Sequence, residues 1–395
     1  MFIKKFSSET KKIAALFLGW RVVLFAIAFL AVYLIPKWGG RFPYEDRVLV
    51  PTGLPSWIWG FGNFDGVHYL RIAQDGYAAA NTQVFFPLYP ILVRILNIFP
   101  RNPLFDPSLF VDPSYFFTAF IISNLFFLLA LYYFYKLLCL DFDKKVSLRS
   151  LLLLLVFPVS FYFGAIYTES LFLLLAVASI YYSRKHSFLL SGILAGFASA
   201  TRVLGLMLLP LIVLEIYLWA KGRKLELGEK LKALIGIVAA PMGTLLYMMY
   251  LKVTTGSYLY FLAAQAPFGA QRSAERFILL PQVIYRYLKI FTSLPVFSLE
   301  FLSASLEFLF ALIPLTLLIV FWKKMRLSYW LFTFGVLLTP TLTGTFSSMP
   351  RYALMGFLLL PLIAHRKKLL GPLIFVFILL GVILIGLFSR GYWVA

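Results

Sequence analysis

Long uncharged apolar runs recur from one end of this chain to the other, and they decide what it can fold into. Each run is close to the ~20 residues that a helix needs to cross a bilayer core. With 62% hydrophobic and only 13% charged residues among 395, a soluble domain could not cover so much apolar surface. Backbone polar groups in lipid must be satisfied within their own element, so the runs read as helices. The alternation of barrel strands is absent. The chain therefore reads as an all-α polytopic membrane protein, a single integral membrane domain over 1–395.

Charge orients it. The formal net charge of +20 is concentrated in short basic loops. These are Lys4 to Lys12, Lys136 to Arg149, Arg184-Lys185, Lys221 to Lys232, Lys323 to Arg326 and Arg366 to Lys368. Placed together in the cytoplasm, they account for the charge without nucleic acid as a partner. Eleven spans follow: 15–36, 114–138, 149–166, 169–183, 187–202, 204–220, 232–252, 301–322, 328–346, 351–365 and 369–389. The N-terminus is then cytoplasmic, and two long loops, 37–113 and 253–300, face outward. Phe17 to Pro36 reads as a retained first helix, with Arg21 snorkelling to the near interface. Cys139 is the one cysteine, so no intramolecular disulfide forms.

On this topology lysine crowds the cytoplasmic side. Arginine falls outside, at Arg41, Arg47, Arg71, Arg94, Arg101, Arg202, Arg272, Arg276, Arg286, Arg351 and Arg390. Two readings stand: a phosphate-bearing ligand that uses the bidentate fork, or snorkelling to headgroups. Two charges, Glu169 and Arg202, sit at the tips of short span pairs. A lone charge in lipid costs about 2.5–3.5 kcal/mol, so both are expected to face protein or water.

The first outer loop breaks the apolar pattern. Asp65 precedes an amphipathic stretch, Gly66 to Gln74, closed by Asp75-Gly76. Asp65, His68 and Tyr69 fall at i, i+3 and i+4 and share a helical face, with Arg71 pointing elsewhere. Spacing leaves Asp65 either a cap for Val67 or His68 or a reactive carboxylate. His68 is the one outward histidine; the aromatic segment Phe85 to Pro90 and a second amphipathic stretch, Ile91 to Phe99, follow. Two interfacial helices in this loop fit the pattern. Glu45-Asp46 has the chemistry of a cation site or of a solvated turn. No zinc, Walker or dinucleotide pattern occurs, so soluble nucleotide-sugar chemistry has no visible binding element and no residue is named as a metal ligand.

Phe64-Asp65, His68-Tyr69, Ile72-Ala73, Gly76-Tyr77, Phe85-Phe86-Pro87 and Tyr89-Pro90 resemble the first lumenal loop of the PIG-V mannosyltransferases. That family usually carries Trp where this chain has Phe64. Tyr167-Thr168-Glu169-Ser170-Leu171-Phe172 and Gly196 to Arg202 continue the likeness, and Pro350-Arg351-Tyr352 is suggestive. The resemblance implies a GT-C fold, membrane lipids around it, a polyprenyl-phosphate mannose donor and a glycan or glycolipid acceptor. It implies Asp65 as the catalytic acid of the outer loop, with inversion at the sugar. Arg202, Arg351 and Arg272 are expected at the leaving phosphate, with His68, Tyr69, Arg71, Glu169 and Tyr352 around the substrates. Some family members work with a small membrane partner. The rival class is a transporter or flippase, which predicts inverted repeats and a charged midplane site. No repeat is visible here.

Overall fold

The computed structural model describes residues 8–40, 44–98, 110–268, 272–273 and 276–394. Arg41 and Arg101 of the outer arginine set lie outside these residues. The described chain is helical, as expected; its one β feature is an isolated bridge between Ile278 and Thr343.

Five described helices are long and apolar enough to cross a membrane: Ser8–Leu34, Ser114–Leu138, Val203–Ala220, Leu299–Val320 and Lys367–Ser389. A sixth crossing arises if Leu227–Ala239 and Met242–Thr255, bent by 42° at their junction, count as one. Pro241 stands at that break, where it supplies no N–H to the ladder. The other expected spans are shorter or interrupted. In place of 149–166 there is a helix Lys144–Leu155, then a 3₁₀ turn Ser160–Gly164. Pro158 lies between the two. In place of 351–365 there are Met349–Ala353, a 3₁₀ stretch Leu354–Leu359 and Leu360–Ala364, with Gly356 out of helical geometry. Ser160–Gly164 is buried throughout, and so are all residues of 349–364 but Tyr352, Leu362 and Ile363. Elements enclosed by protein are free of the length that lipid imposes.

The chain forms two compact units: Met1–Gln74 with Pro90–Val177 and Ala364–Trp393, and Asp75–Tyr89 with Ala178–Ile363 and Val394–Ala395. In the first, Ser8–Leu34 packs against Ser114–Leu138 and Lys367–Ser389. Arg390 closes the end of that first helix, donating from Nε to the Ile35 carbonyl at 2.9 Å and from Nη2 to that of Pro36 at 3.0 Å. A guanidinium is well suited to such orphan carbonyls, and this arginine serves structure.

Arg21 corrects the snorkelling expectation. It lies within Ser8–Leu34, is 7% exposed, and sits over the rings of Phe25, Phe61 and Phe120 at 4.3, 4.3 and 4.6 Å. Neither Nη has a hydrogen-bond partner among the described residues. Ring faces offer a desolvated cation up to about 2 kcal/mol each, comparable with the insertion cost, so the side chain has no need to reach the interface. Its neighbour Trp20 donates to Ser160 Oγ at 3.2 Å, and Phe127 stacks on Phe163 at 4.5 Å. Together they fix the 160–164 turn.

The second unit is built on small residues. A Cβ on Gly192 would lie 2.0 Å from the Gly236 carbonyl oxygen, and one on Gly243 2.1 Å from that of Gly196. Phe188–Thr201 thus meets Leu227–Ala239 and Met242–Thr255 backbone to backbone, as small residues allow in membranes. Elsewhere in this unit buried Glu215 takes a bidentate bond from Arg326 (2.5 and 2.7 Å) and one from Ser328 Oγ at 2.5 Å.

Candidate functional site

In the first unit, Asp65 is the first residue of the helix Asp65–Asp75, and the approach to it is tightly specified. Asn63 is fully buried. Its Nδ2 donates to the Phe388 carbonyl at 2.8 Å, and its own carbonyl accepts from Tyr167 Oη at 2.8 Å. Phe64 follows in the left-handed region, φ 58°, a conformation that costs a side chain-bearing residue roughly 1–2 kcal/mol. Its ring packs on Phe388 and edge-on to Trp393, with centroids 5.8 and 5.1 Å away. This explains why an aromatic residue belongs there. The Phe64 carbonyl takes the N–H of Val67 at 3.2 Å, one of the two donors that the cap reading offers Asp65. The helix ends before Gly76 at φ +69°, as the sequence predicts.

Asp65 and His68 are partly exposed, while Tyr69 is buried, its ring 6.3 Å from that of Tyr167. The helix buries Gly66, Val67, Tyr69, Leu70, Ile72 and Ala73, so protein covers most of it. Burial pushes the His68 imidazole down, against the opposing pull of Asp65 and with the repulsion of Arg71. Arg71 turns away, as expected, and lies over Tyr44 at 4.8 Å and Phe110 at 4.7 Å. Glu169 opens the helix Glu169–Arg184 and is fully buried. The segment leading to it is joined to the Asp65 loop. The Ile166 N–H donates to the Phe61 carbonyl at 2.9 Å, and a Cβ on Gly66 would meet the Ile166 carbonyl at 3.3 Å. Two motifs a hundred residues apart are thus one structural piece.

In the second unit, Arg202 ends the helix Phe188–Thr201 in extended conformation, its guanidinium 5.4 Å from the Tyr352 ring centroid. Arg351 is buried in Met349–Ala353. Arg272 Nη2 donates to the Ser347 carbonyl at 3.2 Å and to Ser348 Oγ at 3.4 Å. The four expected residues Arg202, Arg272, Arg351 and Tyr352 therefore gather on one stretch, 343–352. Sequence reading missed Glu307 and Tyr287, which hold this stretch, and placed Arg286 only within the outer arginine set; it donates to the Gly344 carbonyl at 3.0 Å. A lone acid inside the apolar run 301–322 was the signal for Glu307.

The first unit offers a carboxylate beside an imidazole kept neutral, which suits proton acceptance. The second offers guanidinium forks with one carboxylate among them, which suits an anion. Among the described residues no group of three His, Cys, Asp or Glu is placed to hold a metal ion. Glu45 instead accepts from Trp38 Nε1 at 3.1 Å.

A family model described as Mannosyltransferase (PIG-V) matches residues 47–275, more than half of the chain, including Asp65, His68, Glu169 and Arg202. A curated protein of Drosophila pseudoobscura pseudoobscura, GPI mannosyltransferase 2, is 30% identical over 138 residues. That alignment covers 35% of this chain and 29% of the fly protein, less than a third of its length. Among solved structures, an Archaeoglobus fulgidus oligosaccharyltransferase aligns at TM-score 0.38 and 12% identity, over 94% of this chain and 53% of that one.

Proposed function

Because the chain belongs to the PIG-V mannosyltransferase family, we propose that it moves mannose from a polyprenyl-phosphate donor to a hydroxyl of a lipid-linked or glycan acceptor. The transfer takes place on the outer face of the membrane, with inversion at the sugar. The observation that carries the reading is Asp65: a partly exposed carboxylate at the head of a helix, fixed by buried Asn63 and Tyr167, inside the matched region.

The reaction needs two things from the chain. A base must take the acceptor proton as that oxygen bonds to the sugar C1, and Asp65 fills this role. The C1–O bond to phosphate breaks on the opposite face, and the departing polyprenyl phosphate takes the electron pair. Its charge calls for fixed cationic donors, and Arg202, Arg272 and Arg351 supply them. Two carboxylates divide acid and base work in inverting hydrolases; here a good leaving group removes the need for the acid. His68 hydrogen-bonds the acceptor or Asp65, and Glu169 orients a sugar hydroxyl. Aromatic Tyr69 and Tyr352 hold Asp65's helix and Arg202 respectively.

The test is purified protein incubated with a panel of labelled polyprenyl-phosphate sugars and glycolipid acceptors. Mannose-dependent release of polyprenyl phosphate is the expected result. Movement of intact lipid-linked sugar across a vesicle without bond cleavage would make the protein a flippase. In the same assay Asp65→Asn is expected to lose transfer while expressing normally; retained turnover would remove Asp65 from the role of base.

A further inference from the structure

The second unit holds a polar network that transfer chemistry does not by itself require. Tyr287, on the helix Leu280–Ser293, donates to Glu307 Oε2 at 2.5 Å. Glu307 stands on Leu299–Val320. The same carboxylate accepts from the Ser348 backbone N–H and the Ser347 side chain, and faces Arg272. Tyr287 Oη in turn accepts the Phe346 N–H at 3.1 Å and lies 3.4 Å from Thr345 Oγ1. Burial and the Glu307 carboxylate push the phenol up, so it remains a donor.

The other side of the stretch is pinned as well. Ser273 N–H donates to the Thr343 carbonyl at 2.8 Å and Ile278 N–H to that of Leu342 at 2.9 Å. Gly344 has φ +89°, and a Cβ there would meet Ile278 Cδ1 at 2.5 Å. Ser348 is left-handed, φ 66°, an uncommon state for a residue with a side chain. A backbone bent at both 344 and 348 needs such anchors to persist. Its carbonyls at 344 and 347 hold Arg286 and Arg272 in fixed directions, and Arg351 follows within one turn.

We propose that Glu307 and Tyr287 are positioning residues for a polyprenyl-phosphate site made by Arg272, Arg286 and Arg351 on the 343–352 stretch. The inference rests on the glycosyl-transfer reading and names which side of that reaction the cluster serves. Four guanidinium charges, Arg202 at Tyr352 included, against one carboxylate leave a surplus of about three, which complements a phosphate monoester better than a diester. The site is thus matched to the phosphate that leaves, not to the sugar-bearing donor, and stabilises the charge as it develops. Arg272 gives Nη2 to the loop, and a guanidinium has five donors in its fork.

The experiment measures binding of a polyprenyl phosphate without sugar to the purified full-length protein, by intrinsic tryptophan fluorescence in nanodiscs. Wild type is expected to bind it more tightly than the corresponding polyprenyl-phosphate mannose. Glu307→Gln and Tyr287→Phe should each weaken polyprenyl-phosphate binding about tenfold, and the double variant no further than about the larger single effect. Acceptor KM should stay at the wild-type value, whereas the thermal midpoint should fall by a few degrees, because each variant removes a buried anchor of the bent stretch. Simple removal of a negative charge would instead tighten binding in Glu307→Gln, and tightened or unchanged binding overturns the proposal. If Glu307→Gln fails to fold, Tyr287→Phe carries the test, since it removes one hydroxyl and no charge. A wild type that neither binds polyprenyl phosphate nor transfers sugar would refute the glycosyl-transfer reading itself. A wild type that binds and transfers, with both variants unchanged, would refute only the role of Glu307 and Tyr287.

Discussion

At the scale of single residues, His68 makes the fold sensitive to acid. Burial lowers its folded-state pKa below the value near 6.5 of an exposed imidazole, so the fold prefers the neutral ring. Its contribution to stability is full above pH ~6.5 and is lost as pH falls towards the folded value. Thermal midpoints taken between pH 7.5 and 5 should therefore fall more steeply for wild type than for His68→Gln. Parallel curves would take His68 out of this linkage. Arg202 tests the fork. Arg202→Lys keeps charge and is expected to retain more transfer than Arg202→Ala, with the gap visible in kcat/KM; equal activity of Arg202→Ala and wild type would remove it from the phosphate side. Residues such as Asp65 and Arg202 could be found in the sequence because a charge in an apolar chain needs a reason. Asn63 could not, since its partner Phe388 lies 325 positions away and only folding brings them together. The roles of Arg21 and Arg390 were misjudged for a related reason. Sequence shows an arginine's charge, and only packing shows whether rings or carbonyls receive it.

At the scale of elements, the run of small residues before Arg202 has a mechanical meaning. Gly192→Ala should push Phe188–Thr201 off Leu227–Ala239 and destabilise the protein by about 1–3 kcal/mol, because the atom it would strike is backbone. Gly228→Ala, on the same partner helix with open space around it, is the control and should be neutral or stabilising by up to about 1 kcal/mol. Thermal unfolding in detergent distinguishes them, and equal midpoints would contradict the close packing. Long crossings such as Ser114–Leu138 and Lys367–Ser389 were legible from hydropathy to within a few residues. The shorter elements were not. Inside a protein shell a broken apolar stretch like 144–168 satisfies the same composition as a straight span, and hydropathy does not register the difference.

At the scale of the whole molecule, the lysine pattern predicts orientation. With Cys139 replaced by Ser, a cysteine at Lys224 should be shielded from an impermeant maleimide in intact cells, and one at Ser257 should react; both positions are exposed on the protein. The opposite result would turn the chain over and place Asp65 on the cytoplasmic side. Arg21 bears on how such a chain is made. Its ring cage draws on Phe25, Phe61 and Phe120, and a Cβ at Gly164 would collide with its Nη1. When the first helix leaves the ribosome, most of those walls have yet to be synthesised. The guanidinium must then wait, hydrated or sheltered by the insertion machinery, until about a hundred more residues arrive. Biogenesis should stall at that point whenever the later aromatic walls are removed, long before any sugar is moved.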